Sequence, residues 1–246
     1  MRSAKRIGAL VLRHQKEIVR DPISLVFLYG LPLIMEVLFY FLFASKTDQF
    51  KMAFLAPAMV GFSNVFLSLF LGILIAVDRG TAFMTRLYTT AIKPWEYILS
   101  YAFAVFPFGL SQTILLLVVG GIVDTSFWGV GFVYALLSGM LVIAFFTAVG
   151  LLLGSVCNEK SVGGVSSVII TGQSLLSGMW FPLEGMSDGF LIFLRVLPFR
   201  NASLLMQNVF FPPTFDSVGV PVLILAAYTV VVGVLAILLF RKKMKE

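Results

Sequence analysis

Six stretches of this 246-residue chain are long and apolar enough to cross a lipid bilayer as helices: 23–44, 53–77, 97–123, 130–156, 162–181 and 218–240. A hydrocarbon core about 30 Å thick needs about 20 mostly apolar residues per helix, and inside it every backbone polar group must find its partner within the protein. The composition agrees: 59% of residues are hydrophobic and 12% charged, where soluble domains carry about 25% charged residues. Such a chain cannot clothe a globular surface for water. It predicts an all-α integral membrane fold, a single transmembrane domain over 1–246 with six transmembrane helices. Only Asp124 to Gly129 separate the third and fourth runs, which predicts a tight helical hairpin. The first run is too long for a signal-peptide core and is read as a retained span.

The basic residues set an expected orientation. Of the 18 Lys and Arg, all but Lys46, Lys51, Arg195 and Arg200 fall on one side if the N-terminus is cytoplasmic. Short loops rich in Lys and Arg stay inside, so both termini are expected in the cytoplasm. The net charge of +6 is then a membrane-surface feature, not a nucleic-acid one.

Three segments do not span. Residues 1–22 predict an amphipathic interfacial helix, with Arg6, Arg13 and Arg20 every seven residues on one face and Ile7, Leu10, Val11, His14 and Ile18 on the other. Its apolar face is expected in the lipid boundary and its basic face towards anionic headgroups; His14 is expected to pack there. Asp21-Pro22 breaks it. The loop 78–96 holds a turn, Asp78-Arg79-Gly80-Thr81, then a short helix presenting Phe83, Leu87 and Tyr88, suited to a partner's groove or to the lipid surface. Residues 182–217 contain two apolar pieces of about ten residues, too short to span. They predict an outer re-entrant helical hairpin packed over the bundle mouth.

Reactive groups are scarce. One cysteine, Cys157, excludes an intrachain disulfide, and one histidine, His14, leaves no material for a His-based metal site or a nucleophile–His pair. The segment Gly154-Ser155-Val156-Cys157-Asn158-Glu159-Lys160-Ser161 has the first Gly and the Lys-Ser of a phosphate loop. Glu159 stands at the second Gly, however, and no predicted strand precedes it. Any ATP must therefore be bound by another polypeptide. Polar residues inside the spans mark candidate sites, because they are costly in lipid. Glu36, with Tyr40 one turn on, Asn64, Ser68, Thr171, Gln173 and Ser177 are read as a translocation pathway. Ser111-Gln112-Thr113 join them at mid-depth, with interhelical hydrogen bonding as the other reading for Asn64 and Gln112. Gly150-x-x-x-Gly154 reads as a close-packing motif.

Three regions together resemble the membrane subunit of an ABC-2 type transporter. They are the basic N-terminal helix ending Arg20-Asp21-Pro22; the loop Asp78-Arg79-Gly80-Thr81 with Arg86-Leu87, Thr90 and Trp95-Glu96-Tyr97-Ile98-Leu99; and Leu176-Ser177-Gly178-Met179-Trp180-Phe181-Pro182-Leu183-Glu184 followed by Leu197-Pro198. The third is the most specific. The family often has Glu where Asp78 stands and Pro where Ala91 stands. The resemblance implies a multi-pass subunit of a prokaryotic cell membrane, paired with a second copy or close homologue and with two separate ATP-binding subunits that hold ATP and magnesium. No cofactor or metal is expected on this chain. It further implies ATPase coupling through Asp78, Arg79, Gly80, Thr81, Phe83, Arg86, Leu87 and Tyr88, and an outer gate of Trp180, Phe181, Pro182, Glu184 and Pro198. The expected function is export of an amphiphilic drug, lipid or lipid-linked compound by alternating access. Polysaccharide export, an ATP-independent carrier and a six-span lipid enzyme are the alternatives; one intramembrane carboxylate supports the last poorly.

Overall fold

The computed structural model describes residues 2–81, 92–180, 185–211 and 214–243, and they form an all-α bundle with no strand among them. Helix α1 (Arg2–Val19) precedes α2 (Pro22–Phe43), α3 (Met52–Gly80), α4 (Pro94–Val123), α5 (Val130–Val156) and α6 (Glu159–Leu176). The short α7 (Asp188–Val196) and α8 (Pro198–Asn208) then lead to α9 (Val220–Lys243). Asp21 caps α2, accepting from the Ile23 and Ser24 amides at 3.2 and 3.3 Å, with Pro22 at the position where a missing N–H costs nothing. A π-turn over Val26–Gly30 interrupts α2. It offers the Leu28 carbonyl to the Gln112 amide of α4, the interhelical bond expected of Gln112.

Helices α2, α3, α4, α5 and α9 are long and apolar enough to cross a bilayer. The fifth predicted span forms a helix but ends five residues before the expected edge, at Leu176, because Gly178 turns the chain with φ +72°. Its Gly, Ser and Thr residues and the Glu159-Lys160 start keep it below the apolarity of the other five. Helices α7 and α8 meet at 83° and qualify as a span only when taken together. Gln207 of α8 donates to the Phe54 carbonyl near the start of α3, while Ser203 lies against Gly61, farther down that helix. The pair therefore dips between the spans, as the two short apolar pieces predicted.

Helix α3 is the hub, packed against α2, α4, α5, α6 and α8. The Gly150 and Gly154 motif makes this possible. A Cβ at Gly150 would stand 2.8 Å from the Ser68 carbonyl, and one at Gly154 would stand 2.5 Å from Ile75 Cβ. Only hydrogen fits where the two backbones approach so closely. Both chain ends lie at one end of the bundle: α1 packs on the first turns of α4, and the Phe240 ring of α9 sits 5.7 Å from Tyr97 of α4.

Candidate functional site

The end of α3 is held by two consecutive charged residues. Asp78, buried at 3% exposure, accepts two bonds from the Arg13 guanidinium at 2.7 and 2.9 Å. It also accepts from Tyr101 Oη at 2.5 Å and Tyr97 Oη at 3.3 Å. A carboxylate removed from water needs this many donors to remain stable. Arg79 faces the other way and donates to the Gly154, Ser155 and Cys157 carbonyls at 2.6, 2.8 and 3.3 Å. It thereby caps the C-terminal end of α5, where a cation suits the helix dipole.

His14 stacks on Tyr101 with 4.0 Å between ring centroids and is wholly buried. Ser100 spends its hydroxyl hydrogen on the Tyr97 carbonyl at 2.6 Å, so at 3.2 Å it accepts from His14 Nε2. That assigns the neutral Nε2–H tautomer, leaving Nδ1 to face the Arg13 guanidinium at 3.4 Å. Burial pushes the His14 pKa down to about 4, with Asp78 opposing and Arg13 assisting. Burial also works against the charge on Arg13, but the bond to Asp78 outweighs it and holds that group above the usual arginine value. Glu17 is raised above the usual carboxylate value, chiefly by burial. His14, Glu17 and Asp78 bring potential metal-ligand atoms within 4.8 Å of one another. Arg13 bonds both carboxylates, however, reaching Glu17 at 2.7 Å, so the protein supplies its own cation there.

Two of the three arginines of the stripe thus meet acids of the bundle where headgroups were expected, while Arg20 is exposed. Arg13 turns inward to Asp78, and Arg6 approaches Glu96 at 3.9 Å, whose carboxylate also takes the Ser3 hydroxyl and the Lys93 amide. Buried acids at the end of α3 and the start of α4 hold α1 together with its apolar face, whose Leu10 and Ile18 pack against the cluster of Tyr97 and Tyr101.

Gly80 and Thr81 close the α3 end, Thr81 donating through Oγ1 to the Asp78 carbonyl at 2.9 Å. The other coupling residues, Phe83, Arg86, Leu87 and Tyr88, lie outside the described residues, as do Phe181, Pro182 and Glu184 of the outer gate. Trp180 is placed. Its ring meets Phe39 at 4.7 Å, Phe62 at 5.8 Å and Phe50 at 6.4 Å. Pro198 opens α8 at the bottom of the bend. The Gln49 amide donates to the Gly178 carbonyl at 2.8 Å, and Arg200 to the Ser177 carbonyl at 2.9 Å. The sequence reading missed Gln49 and Arg200, since neither lies in an apolar run of its own.

The structure divides the pathway residues among several places. Glu36 is wholly buried on α2, and neither carboxyl oxygen has a hydrogen-bond partner among the described residues. Asn64 and Ser68 bond their own helix, at the Val60 and Val65 carbonyls. Gln173 faces α3, and Ser177 accepts the Met179 amide at 3.3 Å. Thr171 opens instead onto a groove on the outer face of α6. Tyr40 lines a separate cleft of ≈ 440 Å³ with Ser45, Lys51 and Asp124. The phosphate-loop-like segment is a helix end and a cap: the Ser161 amide bonds Asn158 Oδ1 at 2.9 Å, and the Asn158 amide bonds Ser161 Oγ at 3.0 Å.

Five helices long and apolar enough to cross a bilayer, with a sixth candidate in the bent pair α7 and α8, define a multi-pass membrane protein. The sequence matches the ABC-2 type transporter family over residues 5–211, and the chain belongs to that family. No curated protein matches it.

Proposed function

We propose that this chain is the transmembrane subunit of an ATP-driven exporter that moves an amphiphilic drug, lipid or lipid-linked substrate outward by alternating access. The ATP is hydrolysed on a separate subunit, and two copies of the chain, or one and a close homologue, form the route. The observation that carries this reading is the double anchor at Asp78 and Arg79. It fastens the residue positions just before 82–91 to α1, α4 and α5 at once. A push on that segment from an ATPase would be felt by three helices rather than absorbed by a loose loop. The shared position of both chain ends, with the Lys/Arg bias, supports a cytoplasmic location for that end.

Purification from the native host in mild detergent, followed by an ATPase assay, tests the reading. The expected result is a co-purifying ATPase at one per membrane subunit, with coupling lost in Arg86→Ala. A chain that elutes alone after crosslinking, with no associated hydrolysis, rejects it in favour of a carrier or enzyme.

A further inference from the structure

Helix α2 changes its partners at a break in its own backbone ladder. Across Val26–Gly30 it widens into a π-turn, and the Leu31 amide reaches back to the Val26 carbonyl. Pro32 follows and brings no N–H, so the Leu28 carbonyl one turn earlier receives none from it. The Gln112 side chain of α4 supplies that carbonyl with a donor instead. Beside this bond the Tyr29 hydroxyl donates to Ser111 Oγ at 2.7 Å, since Ser111 spends its own hydrogen on the Phe108 carbonyl at 3.0 Å. Two consecutive residues of α2 are thus fastened to two consecutive residues of α4, and both bonds fall within the π-turn.

The break coincides with a boundary in the core. Leu28 and Tyr29 pack with Leu71, Tyr101 and Val105. Leu31, Met35 and Phe39 pack against a second cluster, which holds Met59, Phe62 and Met179. Each half of α2 therefore rests on a different part of the bundle.

Beyond the break, Pro32, Glu36, Phe39 and Phe43 follow at helical spacing on one face. Pro32 and Glu36 are buried, and the Phe39 ring ends on Trp180 at 4.7 Å and on Phe50 at 5.9 Å. Ile34, Val37 and Phe41, on the other side, are exposed. Among the described residues no side-chain hydrogen bond ties 31–43 to another helix. The first half of α2 is bonded in place, and the second is held by apolar packing.

We propose that residues 28–32 are a hinge, with Leu28 and Tyr29 as its fixed leaf on α4 and 33–43 as a moving leaf that carries Glu36 into and out of the bundle. Prolines and π-turns are the usual seats of a bend in a helix. A helix unbroken across both clusters would lock one to the other. A hinged one lets the leaf lift as a unit, and Glu36 and Phe39 leave together because they share its inward face. The inference rests on the exporter reading only for the use made of this movement, which controls access to Glu36; the hinge itself needs neither nucleotide nor partner.

The test uses the full chain in a non-ionic detergent. Trp95→Phe, Trp128→Phe and Cys157→Ser leave Trp180 as the emitter, and Phe39→Cys sets a thiol, a contact quencher of tryptophan, beside it. A seated leaf gives a short lifetime and a lifted leaf a long one, and both components are expected. Pro32→Ala restores an N–H to the ladder and should cut the minor component about fivefold at an equal or higher melting temperature, the ratio that one hydrogen bond sets. Gln112→Leu strips the pivot of its donor and should enlarge that component by a similar factor. The two changes together should return the Pro32→Ala result, because the restored N–H stands in for the lost amide. Acrylamide quenching of Trp180 with Phe39 intact should rank the same variants in the same order, which guards against a fold disturbed by the thiol. A single lifetime indifferent to Pro32→Ala, or an equal effect of Gln112→Leu with and without Pro32→Ala, overturns the hinge. The expected variant pattern in a preparation that holds no ATPase sinks the exporter reading and keeps the hinge. ATP-driven transport with one fixed lifetime sinks the hinge alone.

Discussion

Asp78 and Arg79 are neighbours in the chain whose side chains hold opposite sides of the bundle. Asp78 takes the Arg13 guanidinium of α1 at 2.7 Å, and Arg79 reaches the Gly154 carbonyl of α5 at 2.6 Å. Successive residues on a helix point about 100° apart, so one turn of α3 can grip two different partners. Neither side chain projects freely towards a partner subunit. On the proposed exporter reading, their part in coupling is to stiffen the end of α3 just before 82–91, not to touch the ATPase themselves.

Asp78→Asn should be strongly destabilising. It takes from Arg13 the more buried of its two carboxylates and leaves it Glu17, and breaking such a pair costs about 3–5 kcal/mol when the pair is fully buried. The outer part of Arg13 is in contact with solvent, so the lower end applies. Hydrogen exchange over residues 2–19 should rise as α1 loosens. Arg13→Gln combined with Asp78→Asn should cost less than the sum of the single changes. Strict additivity would mean that the two residues do not act as a pair.

Arg79→Ala should unravel the last turn of α5 instead. Three carbonyls lose a charged donor, for a cost of about 2–4 kcal/mol. The chain's only cysteine, Cys157, lies in that turn at 8% exposure, so maleimide labelling reads the change directly. Labelling should accelerate by about tenfold or more, with Arg79→Lys intermediate. An unchanged rate would show that the α5 end holds without its cap.

The spans were legible because lipid imposes one rule on every residue they contain: 23–44 appears as Pro22–Phe43 and 130–156 as Val130–Val156. The fifth run was legible as a helix but not in length, since its end depends on a left-handed glycine at 178 that hydropathy does not register. The isolation of Glu36 was also readable, as the one acid within a span's interior. Arg13 with Asp78 was not. The residues lie 65 apart in sequence, and the heptad spacing of Arg6, Arg13 and Arg20 describes a face without naming what that face meets. The approach of Ser203 to Gly61 was hidden for the same reason: it depends on the 83° bend between α7 and α8.

Stability should rise with pH across the histidine window. The His14 pKa is lowered to about 4 in the folded chain from 6.5. Between those values the unfolded chain binds the proton and the folded chain does not, so unfolding becomes harder as pH increases. The full effect is about 3 kcal/mol, nearly all gained by pH 7 and absent below pH 4. The raised Glu17 carboxyl acts in the opposite sense, since the folded chain protonates it more readily, and it reduces the slope from its ordinary value of 4.5 upward. Melting temperatures from pH 4 to 7.5 should therefore climb in the parent and lose that climb in His14→Gln. The same climb in both proteins would assign it to other groups.

Glu36→Gln separates transport from structure. The carboxyl is wholly buried, and neither oxygen has a hydrogen-bond partner among the described residues. Replacing a group that makes no bond should leave the fold as stable or more so, whereas a carboxylate that pairs only with a substrate is missed only by that substrate. In the assembled complex, efflux of cationic amphiphiles should fall about tenfold while that of neutral ones stays within about twofold. Glu36→Asp should recover part of the loss, since the charge returns at the end of a shorter side chain. Equal losses for cationic and neutral compounds would place Glu36 in packing. A drop in melting temperature would show that its oxygens are satisfied in a state of the bundle other than this one.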